Sequence, residues 1–102
     1  MEDFNIVISS KSQQDLSECI GFVLNVSKET ATNLSNDVFS AINSLKTFPE
    51  RNPVFDMPKT FPFVIRKLII NKRYVVLYSM EDKNVVVYRI LDSRRKFDHL
   101  LF

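Results

Sequence analysis

The sequence contains one glycine, one cysteine and one histidine among 102 residues, and it contains no tryptophan. One glycine cannot supply a glycine-rich phosphate-binding loop. Cys19 has no second cysteine with which to form an internal disulfide. A metal site is not expected either, because the single histidine, His99, lies far from Cys19 in the sequence. We therefore expect neither a cofactor nor a metal ion.

Long apolar runs and targeting segments are also missing. No run approaches the roughly 18 apolar residues that a membrane span needs. The N-terminus, MEDFNIVISS, lacks the charged-then-apolar order of a signal peptide. A chain of 102 residues can bury one core without disulfides. The sequence predicts a single domain over residues 1–102, with no membrane association and a reducing, intracellular setting.

The two parts of the chain differ in charge. Residues 1–60 hold five Lys/Arg and eight Asp/Glu, a net charge of −3, whereas residues 61–102 hold nine and four, a net charge of +5. The second part is therefore a basic module that follows a mildly acidic first part. This asymmetry favours an anionic partner, either nucleic acid or an acidic protein segment. A solvated basic surface without a binding role is the alternative.

Hydrophobic periodicity predicts an α+β domain. Apolar residues recur at spacings of three and four in two segments, with Ser12 and Ser27 as the expected N-caps and Asp15 in the first turn of the first helix. The predicted order is β-α-α-β-β-β, an αα-hairpin packed on one face of a small antiparallel sheet. Strands are expected at residues 4–9, 63–70, 74–80 and 85–91, and a loop with all four prolines at residues 48–62.

The later strands of the predicted sheet are apolar on both faces. In the strand that begins at Tyr74, one face carries Tyr74, Val76, Tyr78 and Met80, and the other carries Val75 and Leu77. A helical hairpin can cover only one face of a sheet. The second face is therefore either a surface that binds a partner or the place where the proline-rich loop folds back.

Basic and tyrosine side chains gather on the predicted strands and at their ends. Strand alternation places Arg66 and Arg89 on largely apolar faces, the latter together with Val87 and Leu91. Each arginine therefore needs a carboxylate or phosphate partner if its face is covered. The candidate residues for binding a target or a partner protein are Arg66, Arg73, Arg89, Arg94, Arg95, Lys96, Tyr74 and Tyr78.

Four segments follow one another in a recognisable order. They are KSQQDL, INSLKTFPERNP, the arginine-led IRKLIINKRYVVLY and the final VVVYRILDSRRKFDHLLF. Over nearly the whole chain, their order and spacing resemble the ParE/RelE superfamily of toxins from bacterial type II toxin–antitoxin systems. The family fold is an αα-hairpin on a small antiparallel sheet. The resemblance implies a protein of the bacterial cytoplasm with roles in growth inhibition and plasmid stabilisation.

The resemblance implies one of two activities. RelE-like members cleave mRNA on the ribosome, where basic residues and a tyrosine or histidine near the C-terminus help a ribose 2′-hydroxyl to attack its adjacent phosphate. ParE-like members inhibit DNA gyrase by binding, without a catalytic centre of their own. In the RelE-like case, the catalytic residues would be Arg66, Arg95 and His99.

The RelE-type positions are only partly present. Arg66 matches a basic sheet position and Arg95 matches a C-terminal arginine. Val75, however, stands where RelE carries an arginine, and Leu101 stands at the position of the terminal tyrosine, with His99 nearby. The missing groups favour the ParE-like activity. The RelE-like ribonuclease is the alternative, and a non-toxic binding module derived from a toxin is the second alternative.

Both toxin hypotheses predict a cognate antitoxin as partner. The target is then DNA gyrase, or the ribosome with its mRNA. A disordered, amphipathic segment of the antitoxin would fold on the apolar faces of the toxin and neutralise its basic residues. The resulting complex is expected to be a heterotetramer or larger.

Overall fold

The computed structural model describes residues 3–94. Its helices and strands are β1 (Asn5–Ile8), α1 (Ser10–Leu24), α2 (Lys28–Asn43), β2 (Val54–Phe55), β3 (Ile65–Ile70), β4 (Tyr74–Glu81) and β5 (Asn84–Asp92). Two short 3-10 turns, Ser44–Lys46 and Pro49–Arg51, follow α2. The predicted α+β class and the order of the major elements are confirmed. The two-residue β2, which lies inside the proline-rich segment, was not predicted.

The five strands form one sheet in the order β1-β5-β4-β3-β2. The pairs β2–β3, β3–β4 and β4–β5 are antiparallel, the last two because short turns join their strands. The first strand pairs parallel with β5, so the sheet is mixed, and the prediction of a wholly antiparallel sheet is corrected at this edge. Both helices and the other strands separate β1 from β5 in the chain, so no hairpin turn fixes their relative direction.

Serine side chains cap both helices. Ser27 caps α2 as predicted, because its Oγ accepts a hydrogen bond from Thr30 N at 3.2 Å. The cap of α1 is Ser9 and not Ser12, because Ser9 Oγ accepts from Ser12 N at 3.0 Å. Ser12 lies inside the helix, where its own hydroxyl donates to the Val87 carbonyl of β5 at 2.9 Å.

The main core lies between the helical hairpin and the sheet. Both helices turn their apolar stripes towards the sheet, with α1 packed on β5 and α2 near β3, as their periodicity predicts. The fully buried side chains of this layer include Val38, Val76, Tyr78, Val85 and Val87. Among the described residues, no helix is long and apolar enough to cross a membrane.

A second, smaller core lies on the opposite face of the sheet. Ile65, Val75, Leu77 and Leu91 are buried there, and Phe55, Met57, Phe61 and Tyr88 pack against them. Three of these covering residues belong to the proline-rich segment. The structure therefore favours one of the two alternatives for this face: the loop folds over it and occupies the space that a partner would otherwise need.

A β-bulge in β5 changes which residues share a face. Leu77 pairs with Arg89, but the next residue, Tyr78, pairs with Val87, so Tyr88 is the extra residue on β5. Val87 consequently lies in the helix-side core, whereas Leu91 lies in the opposite core. The prediction that these two residues share a face with Arg89 is wrong, because strict alternation does not hold across the bulge.

Candidate functional site

The predicted binding residues lie in three separate places within residues 3–94. Arg89 is part of the core, Arg66 and Tyr78 support the segment after α2, and Arg73, Tyr74 and Arg94 line a cleft at one end of the sheet. The single basic surface expected from the sequence is therefore divided. Arg95, Lys96 and His99, together with Leu101, lie outside the described residues.

Arg89 is buried and forms an ion pair with Asp15 of α1. Its Nε and Nη2 donate to the two carboxylate oxygens at 2.7 and 2.9 Å, and the same carboxylate accepts from Ile90 N at 3.0 Å. The hydrogen bond to Asp15 raises the pKa of Arg89, although burial acts in the opposite direction. The expected carboxylate partner of Arg89 is present. Because only 6% of Arg89 is exposed, its guanidinium supports the fold and is not presented to a partner.

Tyr78 is also buried, and its hydroxyl holds the segment that follows α2. The hydroxyl donates to the Pro49 carbonyl and accepts from Asn52 Nδ2 at 3.0 Å. Burial is the main reason why the pKa of Tyr78 is raised. Tyr78 is therefore not one of the surface residues that could contact a partner directly.

Arg66 is half-buried beside the same segment. Its Nη1 donates to the Asn52 carbonyl at 2.7 Å, and its Nε is the one buried side-chain nitrogen or oxygen without a hydrogen bond within residues 3–94. Its hydrogen-bond partner is thus a backbone carbonyl, whereas the sequence predicted a carboxylate or a phosphate. The nuclease hypothesis places Arg66 beside Arg95 and His99, whose positions lie beyond the described part of the chain.

Arg73 and Arg94 share one carboxylate, that of Asp92 at the end of β5. Arg73 Nη2 lies 3.0 Å from Asp92 Oδ2, and Arg94 Nε lies 3.8 Å from Asp92 Oδ1. The backbone N–H of Arg94 also donates to Asp92 Oδ1 at 3.0 Å. Burial acts to raise the pKa of Asp92, but the hydrogen bonds from Arg73 and Arg94 outweigh it and the pKa is lowered. One carboxylate between two guanidinium groups leaves an excess positive charge.

Tyr74 lies directly beneath this group. The Arg73 guanidinium lies 5.0 Å from the centroid of the Tyr74 ring, within the range of a cation–π contact. Only 5% of Tyr74 is exposed, and burial is the main reason why its pKa is raised. The buried Tyr74 ring thus provides an apolar surface beneath the Arg73 guanidinium.

These residues form one wall of an open cleft of about 440 Å³, which we call the Arg73 cleft. It is bounded by Phe22, Val23, Val26, Thr30, Asn33, Leu34, Asp37, Asn71, Arg73, Tyr74 and Arg94. Its floor is apolar, and Phe22 and Val26 are 54% and 83% exposed at its mouth. Among the lining residues, Asn71 Nδ2 donates to Asp37 Oδ2 at 2.9 Å. The cleft can bind a side chain or helix that has both an apolar surface and charged groups.

Sequence reasoning found the arginines and Tyr74 but missed the helical wall of the cleft. Phe22 lies off the apolar stripe of α1, which is a signal that could have been recognised. Val26 lies in the link between the helices, where an exposed apolar side chain has no role in the hairpin core. Asp37 gave no signal, because an exposed acidic residue on a helix is ordinary.

A second apolar groove runs along the other side of the hairpin, between α1, α2 and β1. It measures about 490 Å³, and its described lining residues include Ile8, Leu16, Phe39 and Ile42 but no charged side chain. Within residues 3–94 there is also no group of three or more His, Cys, Asp or Glu side chains that could hold a metal ion. The Arg73 cleft, in contrast to this groove, brings an apolar floor together with several charged groups.

Comparison with solved structures gives the same fold. One matching structure, described as the chromosomal ParDE TA system from P. aeruginosa, superposes with a TM-score of 0.69 at 16% sequence identity. The match covers 87% of this chain and 95% of that chain. At this level of identity the likeness supports the fold alone. A search of curated proteins gave no match.

A family model matches residues 6–97, which is most of the chain. Its description is the ParE toxin of the type II toxin–antitoxin system parDE. The match spans both helices, β1 from its second residue, all of β2 to β5 and the residues of the Arg73 cleft. The chain therefore belongs to the ParE toxin family of type II toxin–antitoxin systems.

Proposed function

We propose that this toxin inhibits DNA gyrase by protein–protein contact and that a cognate antitoxin neutralises it by binding in the Arg73 cleft. The observation that carries the antitoxin part is the composition of the cleft. An apolar floor, formed in part by Leu34 and Tyr74, is open to solvent beside two arginines that share a single carboxylate. An amphipathic segment with an acidic residue meets both requirements.

The division of the basic residues supports binding over catalysis. Arg89 is held by Asp15 in the core, and Arg66 is held by the Asn52 carbonyl. Val75, which stands where RelE carries an arginine, is buried under the proline-rich loop. The described arginines therefore do not converge on one position where a phosphate could react, as cleavage of RNA would require.

Purified toxin and gyrase test the target. We expect the toxin to block supercoiling of relaxed plasmid, and an excess of the antitoxin encoded beside it to restore supercoiling. Primer extension on translated mRNA, with wild type and His99→Ala, is the parallel assay for the RelE-like activity. Cleavage that His99→Ala removes, with supercoiling unaffected, would replace the gyrase proposal with the ribonuclease one.

Expression in a bacterium tests whether the chain is toxic at all. We expect growth arrest when the toxin is produced alone and normal growth when the antitoxin is co-produced. Normal growth with the toxin alone would indicate the non-toxic binding module. The mass of the co-purified complex tests the proposal of a heterotetramer or larger assembly.

A further inference from the structure

The Arg73 cleft is lined by two groups of opposite charge. Arg73 and Arg94 surround the single carboxylate of Asp92, a net charge of +1 for the three groups. Asp37 is hydrogen-bonded to the neutral side chain of Asn71, a net charge of −1. The other described residues that line the cleft are uncharged.

The topology of the sheet sets the separation between Arg94 and Asn71, which belong to the two groups. Arg94 follows β5, on which α1 packs, whereas Asn71 follows β3 and is bonded to α2. Strand β4, which begins at Tyr74, lies between β5 and β3 in the sheet. Two strand spacings correspond to about 10 Å, and a helix advances that distance in about seven residues.

Resting on the proposed antitoxin-binding role of the cleft, we propose that it selects a helical segment of the antitoxin that carries two opposite charges. A carboxylate faces Arg73 and Arg94, and a cationic side chain about seven residues away faces Asp37. Between them, a bulky apolar side chain lies on the floor above Tyr74. A uniformly acidic segment would satisfy the arginines but would bring like charge against Asp37.

Three helical peptides of equal length test this selection directly with the full toxin chain. Each has a central leucine flanked by two charged residues seven positions apart, either Glu and Lys, two Glu, or two Lys. Isothermal titration at low ionic strength should give the Glu/Lys peptide about three- to tenfold higher affinity than either of the others. No measurable binding, or equal affinities, would overturn the proposal.

Charge-reversal variants of Asp37 and Arg94, which we call the rim variants, should change the order of peptide affinities in opposite directions. Asp37→Lys should favour the peptide with two Glu, whereas Arg94→Glu should favour the peptide with two Lys. Both side chains are exposed, so these changes leave the partly buried pair of Arg73 and Asp92 in place. Glu29→Lys, an exposed change on α2 outside the cleft, is the matched control and should leave the ranking unchanged.

The cognate antitoxin distinguishes failure of this inference from failure of the proposed function. If the antitoxin neutralises wild type, Asp37→Lys and Arg94→Glu equally well, charge selection is refuted while antitoxin binding stands. If it does not neutralise wild type, the proposed function itself fails. Weaker neutralisation of both rim variants, with Glu29→Lys unaffected, supports the inference.

Discussion

Asp15 on the first helix and Arg89 on the last strand are joined in the core by two hydrogen bonds of 2.7 and 2.9 Å. The same carboxylate accepts from Ile90 N, next to the bulge of β5. Ser9 and Ser12 donate to the Tyr88 and Val87 carbonyls nearby. The start of α1 is therefore attached to β5 by polar groups, and Asp15 accepts from both a side chain and the backbone.

Removing the carboxylate should strongly destabilise the fold. Asp15→Ala removes the carboxylate that accepts two hydrogen bonds from the buried Arg89 guanidinium, and removing one member of a buried ion pair typically costs about 3–5 kcal/mol in the free energy of unfolding. Urea denaturation followed by circular dichroism measures the change. Gln14→Ala, an exposed change on the same helix, is the control and should stay within about 0.5 kcal/mol of wild type. A loss for Asp15→Ala no larger than that of the control would contradict a structural role for this pair.

The double variant Asp15→Leu with Arg89→Met tests whether the charge itself is needed. Replacing both members of a buried ion pair by apolar groups is often neutral or stabilising. We expect the double variant to be more stable than Asp15→Ala, although Ile90 N loses its acceptor. If it is less stable than the single variant, the ion pair does more than neutralise two buried charges.

Asp92 should make stability depend on pH in the acidic range. Its pKa is lower in the folded chain than its ordinary value of about 4. A carboxylate of this kind stabilises the fold above its unfolded pKa, and that contribution is lost as the pH falls through the folded pKa. Between pH 7 and pH 3, the urea midpoint of wild type should therefore fall further than that of Asp92→Asn. The urea midpoint of Asp56→Asn, an exposed change in the proline-rich segment, should fall as far as that of wild type.

The hydroxyl of Tyr78 should contribute to the stability of the fold, although it is buried and not presented to another protein. Tyr78→Phe removes the donor to the Pro49 carbonyl and the acceptor for Asn52, and unsatisfied buried groups cost about 1–3 kcal/mol each. We expect the free energy of unfolding, measured by urea denaturation, to fall by an amount within that range. Hydrogen exchange of the amides in residues 49–55 should accelerate relative to those of α1. Unchanged exchange would show that other contacts hold this segment.

Phe61 should stabilise the face of the sheet opposite the helices. It packs on the second core and meets Tyr88 edge-on, with ring centroids 5.9 Å apart. Phe61→Ala should cost about 1–3 kcal/mol, less than for a fully buried phenylalanine because the side chain is partly exposed. Phe39→Ala removes an exposed ring from α2 and serves as the control. Equal losses for the two variants would indicate that the loop does not protect this face.

Local rules predicted most of the elements, and their failures arise from contacts between residues far apart in the sequence. The stripe of α2 and its cap at Ser27 followed from spacing alone. At α1 several serines could cap the helix, and Ser9 does so because Ser12 is used to bond β5. The alternation of β5 failed at Tyr88, since a bulge depends on the partner strand and on Asp15, which lies 75 residues away from Ile90.

The candidate site was predictable on the strands but not on the helices. Arg73, Tyr74 and Arg94 were recognisable because charge and aromatic residues are unusual at the ends of apolar strands. That Asp92 would hold both arginines depends on the register between Tyr74 and Asp92, which the sequence does not specify. The contribution of Asp37 required knowledge of how α2 lies over the turn at Asn71.

The parallel pairing of β1 with β5 affects how the chain can fold during synthesis. Among the described strands, β1 is translated first, yet its neighbour in the sheet is β5, the last of them, and the bond from Ser9 Oγ to the Tyr88 carbonyl spans 79 residues. A growing chain on the ribosome cannot complete this sheet until residues 84–92 have left the exit tunnel. Translation thus delays the pairing of β1, and the α1 contacts to β5, until all the described strands have emerged.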